Sequence, residues 1–182
     1  MKKILYTFLL LILSGNVHAA LNVFACEPEW AALTRQLAGD KADIYTATGP
    51  LQDPHQVQAR PSLIARARNA QLLVCTGAEL EIGWMPVVLQ ESGNSAIQPG
   101  STGHFEAAKY VTMLEVPTRL DRADGDVHAA GNPHIQTDPR NFLPIADALS
   151  KRLIQLDPAN TAYYRQRLVA FDQQWRLSLI HI

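Results

Sequence analysis

Four consecutive apolar residues, Leu72-Leu73-Val74-Cys75, constrain the fold of this chain more than any other stretch. Side chains on a strand alternate between its two faces, so a strand with no polar side has to be covered on both. The spacing around it supplies the cover. A helix from Pro61 to Asn69, with Leu63, Ile64 and Ala67 on one side, leads into a strand over Gln71 to Thr76. Upstream, Leu21 to Ala25 and Ala42 to Thr48 read as strands, and between them a helix starts at Pro28, carries Trp30, Leu33 and Leu37, and stops at Gly39. Downstream, Trp84 to Glu91 reads as a helix ended by Gly93-Asn94, and Ser95 to Gln98 as a brief fourth strand. Strands alternating with helices predict an α/β fold with a small, mainly parallel four-stranded sheet flanked by helices.

The stretch from Pro99 to Pro133 is less regular. Val111 to Val116 reads as extended, and Thr118 to Gly131 as a polar, mobile loop. Two helices follow. Asp138 and Pro139 open the first, with the stripe Phe142, Ala146, Leu149, Leu153 and Leu156. Asp157 and Pro158 open the second, with Tyr164, Leu168, Phe171 and Trp175. Both stripes step alternately by four and three residues, which keeps them on one packing face. Leu177 to Ile182 break this pattern with apolar residues and no capping signal, and we read them as an aberrant tail on a truncated reading frame.

The amino terminus has the marks of a cleaved signal peptide over residues 1–19: Lys2 and Lys3, an apolar stretch from Ile4 to Leu13, and the small-residue pattern Val17-His18-Ala19. The mature chain then starts at Ala20 in the periplasm. Cys26 is not expected to carry a lipid, because Phe24 stands where a lipoprotein signal needs a small residue. A formal net charge of -1 with scattered basic residues argues against nucleic acid or an anionic membrane surface as the main partner.

Two tripeptides echo each other, Asp53-Pro54-His55 and Asn132-Pro133-His134. Each holds an imidazole on a stiff turn, since proline fixes its own φ and restricts the residue before it. Neutral imidazole is the commonest protein ligand for metals, and His55 follows a strand at the edge where α/β sheets gather ligands. His55 and His134 are therefore expected to form half of a metal site. His128 and His104 are candidates to deliver or cover the ion, although solvated loop histidines are the plainer reading of both. His18 leaves with the signal, and His181 lies in the tail. Cys26 and Cys75 end neighbouring strands if the sheet has the usual 2-1-3 order, and the oxidising compartment favours a disulfide over a pair of zinc ligands. Glu79 and Glu81 follow the third strand, where they are read as offsetting a helix dipole. No phosphate-binding loop, GxSxG elbow or HExxH spacing is present.

Taken in order, Asp53-Pro54-His55, Pro61-Ser62, Ala70 to Gly77, Leu80-Glu81 with Trp84, and Asn132-Pro133-His134-Ile135 with Asp138-Pro139 resemble the periplasmic zinc and manganese solute-binding proteins of bacterial metal ABC importers. The resemblance runs from Leu21 to Trp175. It implies two α/β lobes joined by a long helix, with the metal in the cleft between them and His55 and His134 as the N-terminal lobe's ligands. Residues 20–156 would be that lobe, 157–176 the start of the linking helix, and 177–182 the aberrant tail, with the C-terminal lobe absent. The implied role is capture of zinc, with manganese as the alternative ion, for an inner-membrane ABC permease, by a protein that is monomeric when full length and not an enzyme. The rival readings are a zinc-dependent hydrolase with Glu79 or Glu81 as base and a redox protein using Cys26 and Cys75.

Overall fold

The computed structural model describes residues 19–120 and 127–181. Residues 1–18 of the expected 1–19 signal peptide, part of the polar loop at 121–126 and Ile182 lie outside the described residues. Four strands form one sheet in the order β2-β1-β3-β4: β1 (Leu21–Ala25), β2 (Ala42–Thr46), β3 (Leu72–Cys75) and β4 (His104–Glu106). Every pairing is parallel, with Val23 opposite both Ile44 and Leu72, and Leu73 opposite His104. The expected α/β fold and the 2-1-3 order are both present.

Among the described residues, five α-helices cover the sheet: α1 (Pro28–Ala38), α2 (Pro61–Arg68), α3 (Met85–Ser92), α4 (Phe142–Leu156) and α5 (Thr161–Leu179). The period of two along the strands sorts the core into two halves. Val23, Leu72 and Val74 face Trp30, Leu33 and Leu37 of α1, Ile145, Leu149 and Leu153 of α4, and Tyr164 and Phe171 of α5. Phe24, Leu73 and Cys75 face the other way, onto Leu63 and Ala67 of α2 and Met85, Val88 and Leu89 of α3. β3 thus supplies both halves, as an apolar run without a polar face must.

Some expectations are corrected. Ser95 to Gln98 is no strand: Ser95–Ile97 is a 3-10 turn whose start is capped by Asn94, its side chain accepting from the Ala96 N–H at 3.0 Å. The fourth strand falls instead at His104–Glu106, held from outside by Arg152, which donates to the carbonyls of Thr102 (2.6 Å) and His104 (2.8 Å). Val111 to Val116 joins no sheet. Asp138 does cap, accepting from the Arg140 N–H at 2.9 Å, but it opens a 3-10 turn, Pro139–Asn141, ahead of α4. α5 continues past Arg176 to Leu179. No helix among the described residues is long and apolar enough to cross a membrane.

Cys26 and Cys75 form a disulfide across the carboxyl ends of β1 and β3. Both are buried, and they lie 49 residues apart in sequence. Closing a loop of that length removes chain entropy from the unfolded state, a stabilisation of about 4 kcal/mol on the loop-closure model.

Candidate metal centre

At the carboxyl edge of the sheet, the loop leaving β2 meets the segment that leads into α4. The two Pro-His tripeptides prove to be the same local device. Asp53 Oδ1 accepts from the His55 N–H at 2.9 Å, and Asn132 Oδ1 accepts from the His134 N–H at 2.9 Å. Each short polar side chain thereby closes an Asx turn around its proline and fixes the direction of the histidine.

Asp53 does more for its histidine. Its Oδ1 also lies 2.8 Å from His55 Nδ1, which assigns the ring proton to that nitrogen and leaves Nε2 with a free lone pair. These bonds, first from the His55 backbone and then from its ring, hold the Asp53 carboxyl below its usual range. The loop is braced from beneath. Trp84, fully buried, donates its indole N–H to the Pro54 carbonyl at 2.9 Å. Gly83 leaves room for the chain to pass, since a Cβ there would lie 2.9 Å from the His55 carbonyl oxygen.

The His134 side is anchored to the extended segment ahead of the loop. Asn132 donates its backbone N–H to Leu114 O and its side-chain amide to Glu115 Oε2, both at 2.8 Å. Gly131, at φ +101°, passes so close to the Leu114 carbonyl that no side chain fits. Glu115 itself holds a φ of +53°, a strained value for a residue with a side chain.

These segments enclose a cleft of about 390 Å³ lined by His55, His128 and His134 together with Glu115 and Asn132. The His55 ring centroid lies 5.5 Å from that of His134 and 5.2 Å from that of His128. The Nε2 atoms of His55 and His128 face each other at 3.2 Å. The three imidazoles line one small cleft, and imidazole nitrogen is a common donor to a borderline divalent cation. Glu29, in the first turn of α1, is close enough for His134 to act on its charge; burial nevertheless raises its pKa.

His104 is placed elsewhere. It lies in β4, with Nδ1 2.8 Å from the Ile97 carbonyl oxygen and Nε2 3.5 Å from Glu106 Oε1. Burial opposes its charged form, but Glu106 and Ile97 outweigh it and its pKa rises, while the Glu106 carboxyl is held down at about 2, chiefly by His104. It borders a separate hollow with Cys75, Glu81 and Glu106.

The acidic pair after β3 is also reassigned. No helix begins there, since α3 starts at Met85. Glu81 is buried, and its two carboxylate oxygens accept the N–H groups of Thr76 (2.8 Å) and Gly77 (3.1 Å). Beside it, buried Glu27 accepts from Thr76 Oγ1 at 3.2 Å, and Trp30 donates to that same hydroxyl at 2.7 Å. Burial first, and the nearby Glu81 charge second, push the Glu27 pKa far up, so Glu27 keeps its proton at neutral pH. The partners of Glu27, Glu79 and Glu115 are not visible in the sequence, because each is set by a contact distant along the chain, whereas those of Glu81 lie only four and five residues before it.

The family model described as "Zinc-uptake complex component A periplasmic" matches residues 23–177. A manganese ABC transporter substrate-binding lipoprotein, scaA of Streptococcus gordonii, is 26% identical over 157 residues, covering 85% of this chain and 47% of its own length. The PsaA lipoprotein of Streptococcus pneumoniae, also named for manganese, is 24% identical over 147 residues, covering 79% and 44%. Among solved structures, a zinc-bound ZnuA deletion mutant superposes with a TM-score of 0.70 at 22% identity, covering 86% of this chain and 55% of that one. A manganese-bound periplasmic metal-binding protein of Candidatus Liberibacter asiaticus gives 0.70 at 20%, covering 87% and 54%. These structures share the fold, and the chain spans about half the length of the curated relatives it matches.

Proposed function

The chain belongs to the family of the periplasmic zinc-uptake complex component A, and from that premise we propose that it captures a divalent metal ion for an ABC importer, using His55 and His134 as ligands and His128 as a third. The family is one of periplasmic solute-binding proteins and not of enzymes. The observation that carries the reading is the convergence of the three imidazoles on one cleft, two of them aimed by matching Asx turns. The hydrolase reading loses its bases, because Glu81 is buried against backbone N–H groups and Glu79 is bonded to the Ala129 N–H. The redox reading loses its thiols to a buried disulfide.

We assign zinc as the ion. The relatives are named for zinc and for manganese, so the family leaves both open, and the donors here favour zinc: imidazole nitrogen suits it, whereas manganese prefers more oxygen. In this reading residues 20–156 are the N-terminal lobe, 157–176 lead into a linking helix, and the partner is an inner-membrane permease. The site of action is the periplasm. Several relatives are named as lipoproteins; the disulfide at Cys26 supports a form of this chain with no lipid on that residue.

The test is zinc and manganese affinity, measured by competition with a chromophoric chelator. The double variant His55→Ala/His134→Ala is expected to lose zinc binding while its far-UV circular dichroism is unchanged. Zinc affinity that survives both changes rules the site out, and tighter binding of manganese than zinc overturns the choice of ion.

A further inference from the structure

A second cluster of metal-binding groups lies at the disulfide, apart from the histidines. The central ladder sets Val23 opposite Leu72, Phe24 opposite Leu73 and Ala25 opposite Val74. One more step brings Cys26 opposite Cys75, both in the half of the core that contains Phe24 and Leu73, with their Cα atoms 4.8 Å apart. The backbone holds this pair as well as the disulfide does, since the Cys26 N–H donates to the Val74 carbonyl at 2.9 Å. Glu81 adjoins it: a carboxylate oxygen and the two sulfurs all lie within 4.8 Å of one another, and all three residues are buried. We propose that Cys26, Cys75 and Glu81 form a second metal site, for a thiophilic divalent cation such as zinc, which opens when the disulfide is reduced.

A disulfide sulfur carries no charge, whereas a thiolate is a strong zinc ligand. Cys75 borders the hollow of about 240 Å³ shared with Glu81 and Glu106, so it is the sulfur within a reductant's reach. A phosphine attacks Cys75 Sγ, Cys26 leaves as a thiolate, and water cleaves the P–S bond to release the second thiol and a phosphine oxide. Two electrons pass from phosphorus to sulfur, and water supplies the oxide's oxygen and both thiol protons. Zinc then displaces those protons as two Zn–S bonds form. The sulfurs have to part to about 3.8 Å, the span across a tetrahedral zinc with bonds of about 2.3 Å, by rotation about their Cα–Cβ bonds. The third bond comes from the Glu81 carboxylate, already aimed by the N–H groups of Thr76 and Gly77. Its oxygens keep lone pairs that those two bonds do not use. Two thiolates and a carboxylate offset the charge of a buried cation. Next to Glu81, buried Glu27 has an oxygen, Oε1, with no hydrogen-bond partner among the described residues, a state that an ion commonly relieves. In a newly made chain, before oxidation, zinc and disulfide formation would compete for the same two sulfurs.

The site shares no residue with the histidine cleft. It is therefore measured both in the unaltered protein and in His55→Ala/His134→Ala, where the cleft cannot contribute. Cobalt is the probe. After reduction with a phosphine, cobalt is expected to give an intense near-ultraviolet band from thiolate-to-metal charge transfer, which imidazole ligands alone do not produce. Zinc should displace the cobalt and shield both thiols from an aromatic disulfide reagent. The oxidised protein should give no such band, and Cys26→Ser/Cys75→Ser none in either state. Groups that merely support a metal ligand are commonly worth tenfold to a hundredfold in affinity, so Glu81→Gln is expected to weaken cobalt binding by about tenfold or more. Absence of the band or of shielding in the reduced protein overturns the site, and so does undiminished affinity in Glu81→Gln. Band and shielding that persist in urea would trace to the unfolded chain and overturn it equally. Should Glu81→Gln lose the far-UV circular dichroism of its parent, the band and shielding of the reduced unaltered protein, with and without urea, decide the matter.

Discussion

Asp53 and Asn132 perform one backbone task with different chemistry. Both accept an N–H two residues ahead, but only Asp53 also takes the ring proton of its histidine, and only Asn132 has an amide to donate to Glu115. The substitutions should separate these functions. Asp53→Asn keeps an oxygen for both bonds and is expected to hold zinc nearly as well as the wild type. Asp53→Ala frees the turn and the ring together and is expected to weaken binding about tenfold or more. Chelator competition on the pair decides it: equal affinity in Asp53→Ala and the wild type would mean that the turn does not aim the ligand. Glu27 makes a prediction of a different kind. Burial and the neighbouring Glu81 carry its folded pKa well above the ordinary value of 4.5. The folded chain therefore keeps a proton that the unfolded chain releases above that pH, and stability falls as pH rises from there through the folded pKa. Gln at this position cannot ionise. Glu27→Gln should gain on the wild type by up to about 1.4 kcal/mol per pH unit across that window. Urea unfolding at acid, neutral and mildly alkaline pH reads this directly, and a gap that does not change with pH would show that Glu27 is charged in the fold.

The elements were legible in proportion to how much their own sequence decided them. β3 and the helices opened by Pro28 and Pro61 declared themselves through apolar period and a first-turn proline. β4 did not, because only Phe105 of its three residues is buried and the strand lies at the edge of the sheet. Ser95 to Gln98 misled because Ala96 and Ile97 look like a strand. Asn94 decides otherwise through local bonds, its side-chain amide also donating to the carbonyls of Ala67 and Ala70. The same division runs through the metal centre. His55 and His134 could be read locally, since each carries its aiming group two residues before it. At this scale the disulfide links β1 to β3, the central pair of the sheet. Cys26→Ser/Cys75→Ser is expected to lower stability by about 4 kcal/mol, with the loss seen as a lower urea midpoint. A midpoint unchanged from the oxidised protein would show that packing alone fixes these strands.

At the scale of the molecule, the parallel sheet joins segments that are distant in sequence, and none of the described strands is paired through a tight hairpin. Folding must close long loops before ladder bonds repay the cost, which makes such a topology slow to assemble. The faces of the sheet were predictable from the strand period, and they sort correctly into two halves of core. The covalent circuit of the chain adds something that neither the sheet nor the site conveys by itself. The disulfide turns residues 26–75 into a closed ring, and His55 is threaded on that ring, while His128 and His134 belong to the open chain that follows. An ion held by all three would tie ring to chain as a second, reversible cross-link, so that loading the protein would also change its topology from a ring with a tail to two joined loops.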